Sequence, residues 1–337
     1  MRVTHAVIVG LLLVSAGCLT GADETAEEPE DGSLDARADP NTETDATSRA
    51  PEPGPLEAPP SWIPGEYWTI EIDSTLLDEP ITWTRVVAGY SSDTYLLGQP
   101  AEEATPAGLL LHVPGLGPVD QGNLSYGVHG DAFQPTAFPL EEGQAWQTSF
   151  EGDPVNATVT RAGDVAEIAF CCSRNITATY DPSVRAISSL SVDDGFLAYE
   201  VTDHGYAYEG DIEVPTEREV VFLQGRAAGA LTTDGSAGPP AGQAQVPEAV
   251  DRVAFTQIVG NLDMTPAEEI GAYLERAQLP NGSTYTTQRS ARTDGLAISF
   301  HEAANASGTW TFDHVAGGPG LAFTEGIGYQ LETRTLG

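Results

Sequence analysis

Tyr67-Trp68-Thr69-Ile70-Glu71-Ile72 alternates apolar and polar residues with a period of two, and recurrence of that pattern along the chain is what most limits its fold. Successive strand residues point to opposite faces, so Trp68, Ile70 and Ile72 share one face and can bury it together. Residues 81–87, 94–97, 155–160, 165–170, 175–180, 184–192, 196–202 and 219–223 read as further strands. Gly89 with Ser91-Ser92, Ala162-Gly163-Asp164, Asp181-Pro182-Ser183 and Asp193-Asp194-Gly195 separate them with turn chemistry, since proline presets one dihedral and glycine supplies a positive one. About nine short strands without a convincing helix predict a meandering antiparallel sheet, either a sandwich or a curved half-barrel.

This first β domain spans 61–226. Within it, 99–139 is irregular and rich in Gly and Pro, with Leu109-Leu110-Leu111 its most apolar point, read as a strand or a lid over the core. Gly143-Gln144-Ala145-Trp146 echoes Gly65-Glu66-Tyr67-Trp68. Residues 227–246, mostly Ala, Gly, Thr, Pro and Gln, predict an interdomain linker, and 247–337 a small β-sandwich domain. Thr265-Pro266-Ala267-Glu268 has the form of a capping box, and Ile270, Tyr273, Leu274 and Ala277 fall on one helical face before Pro280. That predicts one short helix; a strand pairing Ile270, Ala272 and Leu274 on one face is the competing reading. Beyond the Pro280-Asn281-Gly282 turn, Leu296, Ile298 and Phe300 alternate, as do Trp310 with Phe312, and Ile327, Tyr329 and Leu331. Gly308-Thr309-Trp310-Thr311-Phe312 with the preceding turn resembles small jelly-roll domains appended to secreted proteins, a resemblance that implies an accessory sandwich without chemistry of its own.

At the other end, Arg2 precedes a run of small and apolar residues over 6–17, the length of a signal-peptide core and too short to cross a bilayer. It closes on Val14-Ser15-Ala16-Gly17-Cys18, which resembles the lipobox of secreted lipoproteins, with Ser15 where that motif carries a branched aliphatic residue. The resemblance implies that 1–17 is a signal peptide, that Cys18 is lipidated, and that the rest is held outside the cytoplasm at the cell membrane. An ordinary secreted protein cut a few residues later is the alternative. Residues 18–60 then read as a disordered acidic tether: 19–60 holds seven prolines, twelve acids and no aromatic residue, too little apolar surface to offset the entropy of ordering. Its root-mean-square reach is roughly 35–40 Å.

The chain carries 50 Asp and Glu against 14 basic residues, all arginine, for a net charge of −36. Such a charge excludes nucleic acid, whose affinity comes from cations displacing counterions, and electrostatic adhesion to anionic lipid. It fits a protein kept soluble in concentrated salt, which screens self-repulsion, and points to a halophilic, archaeal type of source. Five of seven asparagines, Asn123, Asn156, Asn175, Asn281 and Asn305, stand in N-x-S/T, where chance predicts about one. The excess predicts an exported glycoprotein.

Local chemistry is sparse. Vicinal Cys171-Cys172 is the most unusual feature: the pair reads first as reduced cysteines serving as small apolar residues, and alternatively as a redox pair through a strained vicinal disulfide. His112, His129, His204, His301 and His314 show no metal-ligand spacing, so neither a metal nor a cofactor is expected. Adjacent acids such as Glu141-Glu142, Asp193-Asp194 and Glu268-Glu269 carry no weight where acids are so common. Trp68, Trp83 and Trp146, covered by Leu109 and Leu111, form a candidate face for an apolar ligand. The leading expectation is a non-enzymatic, lipid-anchored binding or envelope-interaction module whose partner is an envelope protein, a glycan or a small apolar ligand. A carrier of an apolar ligand is the first alternative. An extracellular hydrolase with an unrecognised carboxylate pair is the second.

Overall fold

The computed structural model describes residues 56–74, 79–103, 115–128, 131–150, 153–172, 175–193, 197–228, 241–261, 272–290, 295–315 and 320–337. Among them the chain is all β, with twenty strands arranged as a 16-stranded sheet and a four-stranded sheet. Alternation fixes the first of these: in β1 (Tyr67–Ser74), Trp68, Ile70, Ile72 and Ser74 are buried while Glu71 and Asp73 face water. β1 lies between β2 (Ile81–Tyr90) and β12 (Leu197–Gly205), and β3 (Thr94–Pro100) follows β2. On the other side, β11 (Ala186–Val192), β10 (Ile176–Asp181), β9 (Ala166–Cys172), β8 (Asp153–Ala162) and β7 (Ala145–Phe150) step outward in reverse chain order. Every pairing along this path is antiparallel, as expected of short strands joined by tight turns.

Three very short strands curl the sheet back on itself. β4 (Gly117–Asp120), β5 (Tyr126–Val128) and β6 (Asp131–Phe133) extend from the β3 edge. Phe133 of β6 meets Phe150 of β7 and Phe170 of β9 at ring-centroid distances of 5.2 and 5.4 Å. The Gln134 amide donates to Thr148 Oγ1 at 2.7 Å. Both ends of the meander therefore converge on β6, which gives a rolled half-barrel and protects edges that would otherwise pair with other chains.

The remainder is a sandwich. β13 (Gly210–Ala228) pairs with β20 (Gly320–Leu336) along its whole length, and β15 (Arg252–Asn261) and β18 (Gly295–Ala304) extend that layer. The four-stranded sheet runs β14 (Ala241–Val246), β19 (Gly308–Val315), β16 (Ala272–Gln278), β17 (Thr284–Ser290). Phe222 of β13 is the centre of the core between the layers, 5.0 Å from Trp310 and 4.9 Å from Phe312. Near its start, β13 instead buries Ile212 and Val214 against Val86 and Ala88 of β2. Two register shifts against β20, at Pro215/Glu217 and Val220/Phe222, re-aim its side chains between the two cores.

Three expectations meet these strands. The helix expected near 265–277 is corrected over its described part: Ala272–Gln278 is a strand with Tyr273, Glu275 and Ala277 buried in alternation. Tyr273 and Ala277 are four residues apart and so share a face in either structure, which is why the pattern misled; residues 262–271 lie outside the described residues. Of the stretch 227–246, Ala227 and Ala228 end β13 and Ala241–Val246 is β14, while 229–240 lie outside the described residues. Residues 56–60, at the end of the expected tether, lie against the body, where Leu56 O accepts from the Leu140 amide at 2.7 Å and Pro60 O from Tyr95 Oη at 2.9 Å.

Candidate functional site

Ile63-Pro64-Gly65-Glu66 is a turn with proline and glycine where a type II turn requires them: Gly65 has φ of 84°, and the Glu66 amide donates to Ile63 O at 3.0 Å. The turn is locked to β2, because Gly65 N donates to Val87 O at 2.9 Å and Val87 N to Glu66 O at 2.8 Å. It sets the Glu66 side chain inside the body with no solvent exposure. Glu66 Oε2 accepts the Ile63 amide at 3.1 Å and lies 3.3 Å from Arg185 Nη1, and Oε1 lies 3.1 Å from His204 Nε2. Arg185 sits in the turn before β11 at φ of 58°, also buried, and its Nη2 donates to Ser61 O. The same turn holds two indoles: Trp62 Nε1 donates to Arg185 O at 2.8 Å and Trp68 Nε1 to Val184 O at 2.7 Å. One buried carboxylate thus neutralises a buried guanidinium, as burial of either requires.

Trp68 is the middle of a cross-strand row. His204 of β12 and Arg85 of β2 are its directly opposed partners. The imidazole stacks on the indole at 5.5 Å and 11°, and Arg85 Cζ lies 4.7 Å from the Trp68 ring centroid and 5.7 Å from that of Trp62. Two aromatic faces therefore hold the Arg85 cation. Arg85 is only 5% exposed, its Nε has no hydrogen-bond partner, and among the described residues it forms no ion pair. Burial depresses its pKa, partly opposed by Tyr199, Tyr126 and Glu66.

Arg85 lines a small recess, part of it open to solvent. Trp62, Val119, Leu124, Tyr126, Ile187 and Tyr199 line it with Arg85. Burial raises the Tyr199 pKa well above 10, so its hydroxyl stays protonated and able to donate. The recess is lined by apolar side chains with one cation and phenolic hydroxyls.

Of the candidate apolar-ligand face, Trp68 lies beneath Arg85 and Trp83 is 2% exposed, with Nε1 donating to Gln99 Oε1 at 3.2 Å. Trp146 is half-buried on β7 and donates to Gln134 O at 3.1 Å. Leu109 and Leu111 lie outside the described residues, as do Cys18, His112 and His129. Asn156, Asn175, Asn281 and Asn305 are exposed and Asn123 is half-buried. Asn281 and Asn123 sit in turns, each side-chain oxygen accepting the amide two residues on at 2.9 Å.

Cys171 and Cys172 are free and exposed rather than packed as apolar residues. Strand alternation would separate them, but φ of 100° at Cys172 brings the two Sγ atoms to 2.6 Å. Their mutual hydrogen bond pushes Cys171 up in pKa and Cys172 down, and the Cys172 effect is reinforced by Asn156 Nδ2 at 3.4 Å.

The sandwich holds a second buried acid. Glu275 Oε2 lies 2.6 Å from His314 Nδ1, and Oε1 accepts from Thr324 Oγ1; all three residues are buried. Burial raises the Glu275 pKa, against the pull of His314 and Thr324. Adjacency along the chain revealed neither Glu–His pair, whose members are 138 and 39 residues apart. Inward-facing charge on an alternating strand was the available signal, for Arg85 stands in phase with Trp83 and Val87, and Glu275 with Tyr273 and Ala277. Among the described residues no group of three or more His, Cys, Asp or Glu could hold a metal ion.

No family model and no curated protein matches the chain. Among solved structures, an exo-β-1,3-galactanase from Phanerochaete chrysosporium with galactose aligns at 8% identity over 74% of this chain and 78% of its own, with a TM-score of 0.20. A glycoside hydrolase aligns at 9% identity over 81% of this chain and 97% of its own, with a TM-score of 0.16. Scores this low carry no argument about this chain's chemistry.

Proposed function

We propose that this protein is a surface-tethered binding module, exported, glycosylated and salt-adapted, that takes up its ligand in the recess of the half-barrel. The observation that carries the reading is Arg85, a buried cation without a hydrogen-bonded partner at its Nε, presented to an otherwise apolar recess. Burying a charge is costly unless a counter-charge meets it, so a fold that keeps one facing a recess gains from a ligand that completes it. The lipobox-like leader, the tether and the acidic surface support the location; Glu66 and Glu275 are the buried acids among the described residues, which leaves the other described acids at least partly exposed. The accessible asparagines support glycosylation.

Two experiments test this reading in the native host. Wild-type protein should fractionate with membranes and Cys18→Ser should not; a variant that stays with membranes contradicts the lipid anchor. Intact mass should exceed the sequence mass by glycan increments that disappear as the sequon asparagines are replaced by glutamine. Salt adaptation predicts a melting temperature that rises from low to multimolar salt, and an unchanged value contradicts it.

A further inference from the structure

We propose that the recess binds a small organic monocarboxylate, its carboxylate meeting Arg85 and its short apolar body lying at the mouth against Trp62, Leu124, Tyr126 and Ile187. This rests on the binding-module reading and specifies the ligand class. The sign of the ligand follows from the charges inside the body. Glu66, the acid whose field reaches Arg85, is already engaged by Arg185, His204 and the Ile63 amide. Just beyond β3, Glu103 Oε2 already accepts the Thr84 amide at 2.9 Å, and Glu102 beside it is exposed. Among the described residues Arg85 is therefore left with two indole faces, which attract a cation but accept no hydrogen bond from it.

The shape of the ligand follows from the groups around that cation. A guanidinium is a planar fork that matches the two oxygens of a carboxylate, so an arginine suits this class better than a spherical ion. Trp68 and Trp62 lie near its central carbon and leave its N–H groups for an anion. The walls are apolar apart from the tyrosine hydroxyls, so the remainder of the ligand is hydrocarbon or aromatic rather than sugar-like. The enclosed part of the recess is small and its mouth is open, so the ligand's body is short and lies partly in solvent. A single cation favours one negative charge, because the net charge of −36 opposes a second.

The test titrates the full-length protein with benzoate and isovalerate at constant ionic strength, and in parallel with benzamide and isovaleramide, their neutral counterparts. Tryptophan fluorescence reads Trp62 and Trp68 beside Arg85, and melting temperature gives an independent measure of binding. The acids should change both signals saturably, and the amides should bind about tenfold or more weakly. Arg85→Met should remove the preference for acid while leaving the unliganded protein at least as stable, because it deletes a buried charge. Should that variant fail to fold, the acid–amide contrast on the wild type still decides. Amides that bind as well as acids would overturn the carboxylate assignment and leave the binding module standing. Chloride reproducing the acid response at equal concentration would make this an inorganic anion site and also overturn the assignment. If neither acids, amides nor chloride changes either signal, both the assignment and the recess as a binding site fall.

Discussion

The two Gly-x-x-Trp segments, at Gly65 and Gly143, are the same backbone device put to different use. Gly143 has φ of 85° against 84° at Gly65. Gly143 N and Gly65 N donate at 2.9 Å to Val159 O and Val87 O, and each of those strands slips register directly after its valine. The side chain after each glycine reaches back to the amide three residues earlier, Glu66 at 3.1 Å and Gln144 at 3.4 Å. What differs is charge and depth. Gln144 is half-buried and neutral, whereas Glu66 is fully enclosed and binds Arg185 and His204. The turn builds the strand start in both places. A single acid in the first copy, with distant basic partners, makes it the support of the recess.

The largest test of that contrast exchanges the two side chains. Glu66→Gln leaves Arg185 buried without its counter-charge and should cost about 3–5 kcal/mol in chemical denaturation. Gln144→Glu, at a half-exposed turn, should cost less than about 1 kcal/mol. Comparable losses would mean that the first turn holds no special electrostatic role. Next in size are Gly65→Ala and Gly143→Ala. Both force a side chain into left-handed backbone, and each should cost about 1–2 kcal/mol. A Cβ at Gly65 would make only ordinary contact, 3.4 Å from Tyr206 O, and one at Gly143 meets nothing within 4 Å, so the two losses should be similar. A loss at one position and none at the other would break the equivalence of the turns.

The smallest effect compares Glu66 with the acid of the sandwich, Glu275, which has a histidine and a threonine but no arginine. Burial raises the Glu275 pKa. A carboxyl raised above its unfolded value contributes stability below the unfolded pKa, and that contribution is lost as pH rises through the folded value. Glu275→Gln should therefore flatten the fall in unfolding free energy across that window. An unchanged slope would show that His314 and Thr324 fully offset the burial.

Much of the half-barrel was legible because a buried strand face imposes period two, which Trp68, Ile70 and Ile72 display directly. The echo between Gly65 and Gly143 was legible too, since both turns need glycine at positive φ. β5 and β6 were not, because three residues are too few to show a period. Nor was the site. Arg85, Glu66, Arg185 and His204 come together through strand register, and in a chain with 50 acids no single Glu stands out. Arg85 flanked in phase by Trp83 and Val87 was the one local sign that a charge points inward.

The most direct measurement is the Arg85 Nε–H resonance in a ¹⁵N NMR spectrum, assigned by its disappearance in Arg85→Lys. Without ligand it should lie apart from exposed arginines, shifted by the Trp62 and Trp68 rings, and benzoate should move it progressively to saturation. A resonance that stays fixed while benzoate reaches saturating levels would contradict the account, because the cation would then not be where the ligand binds.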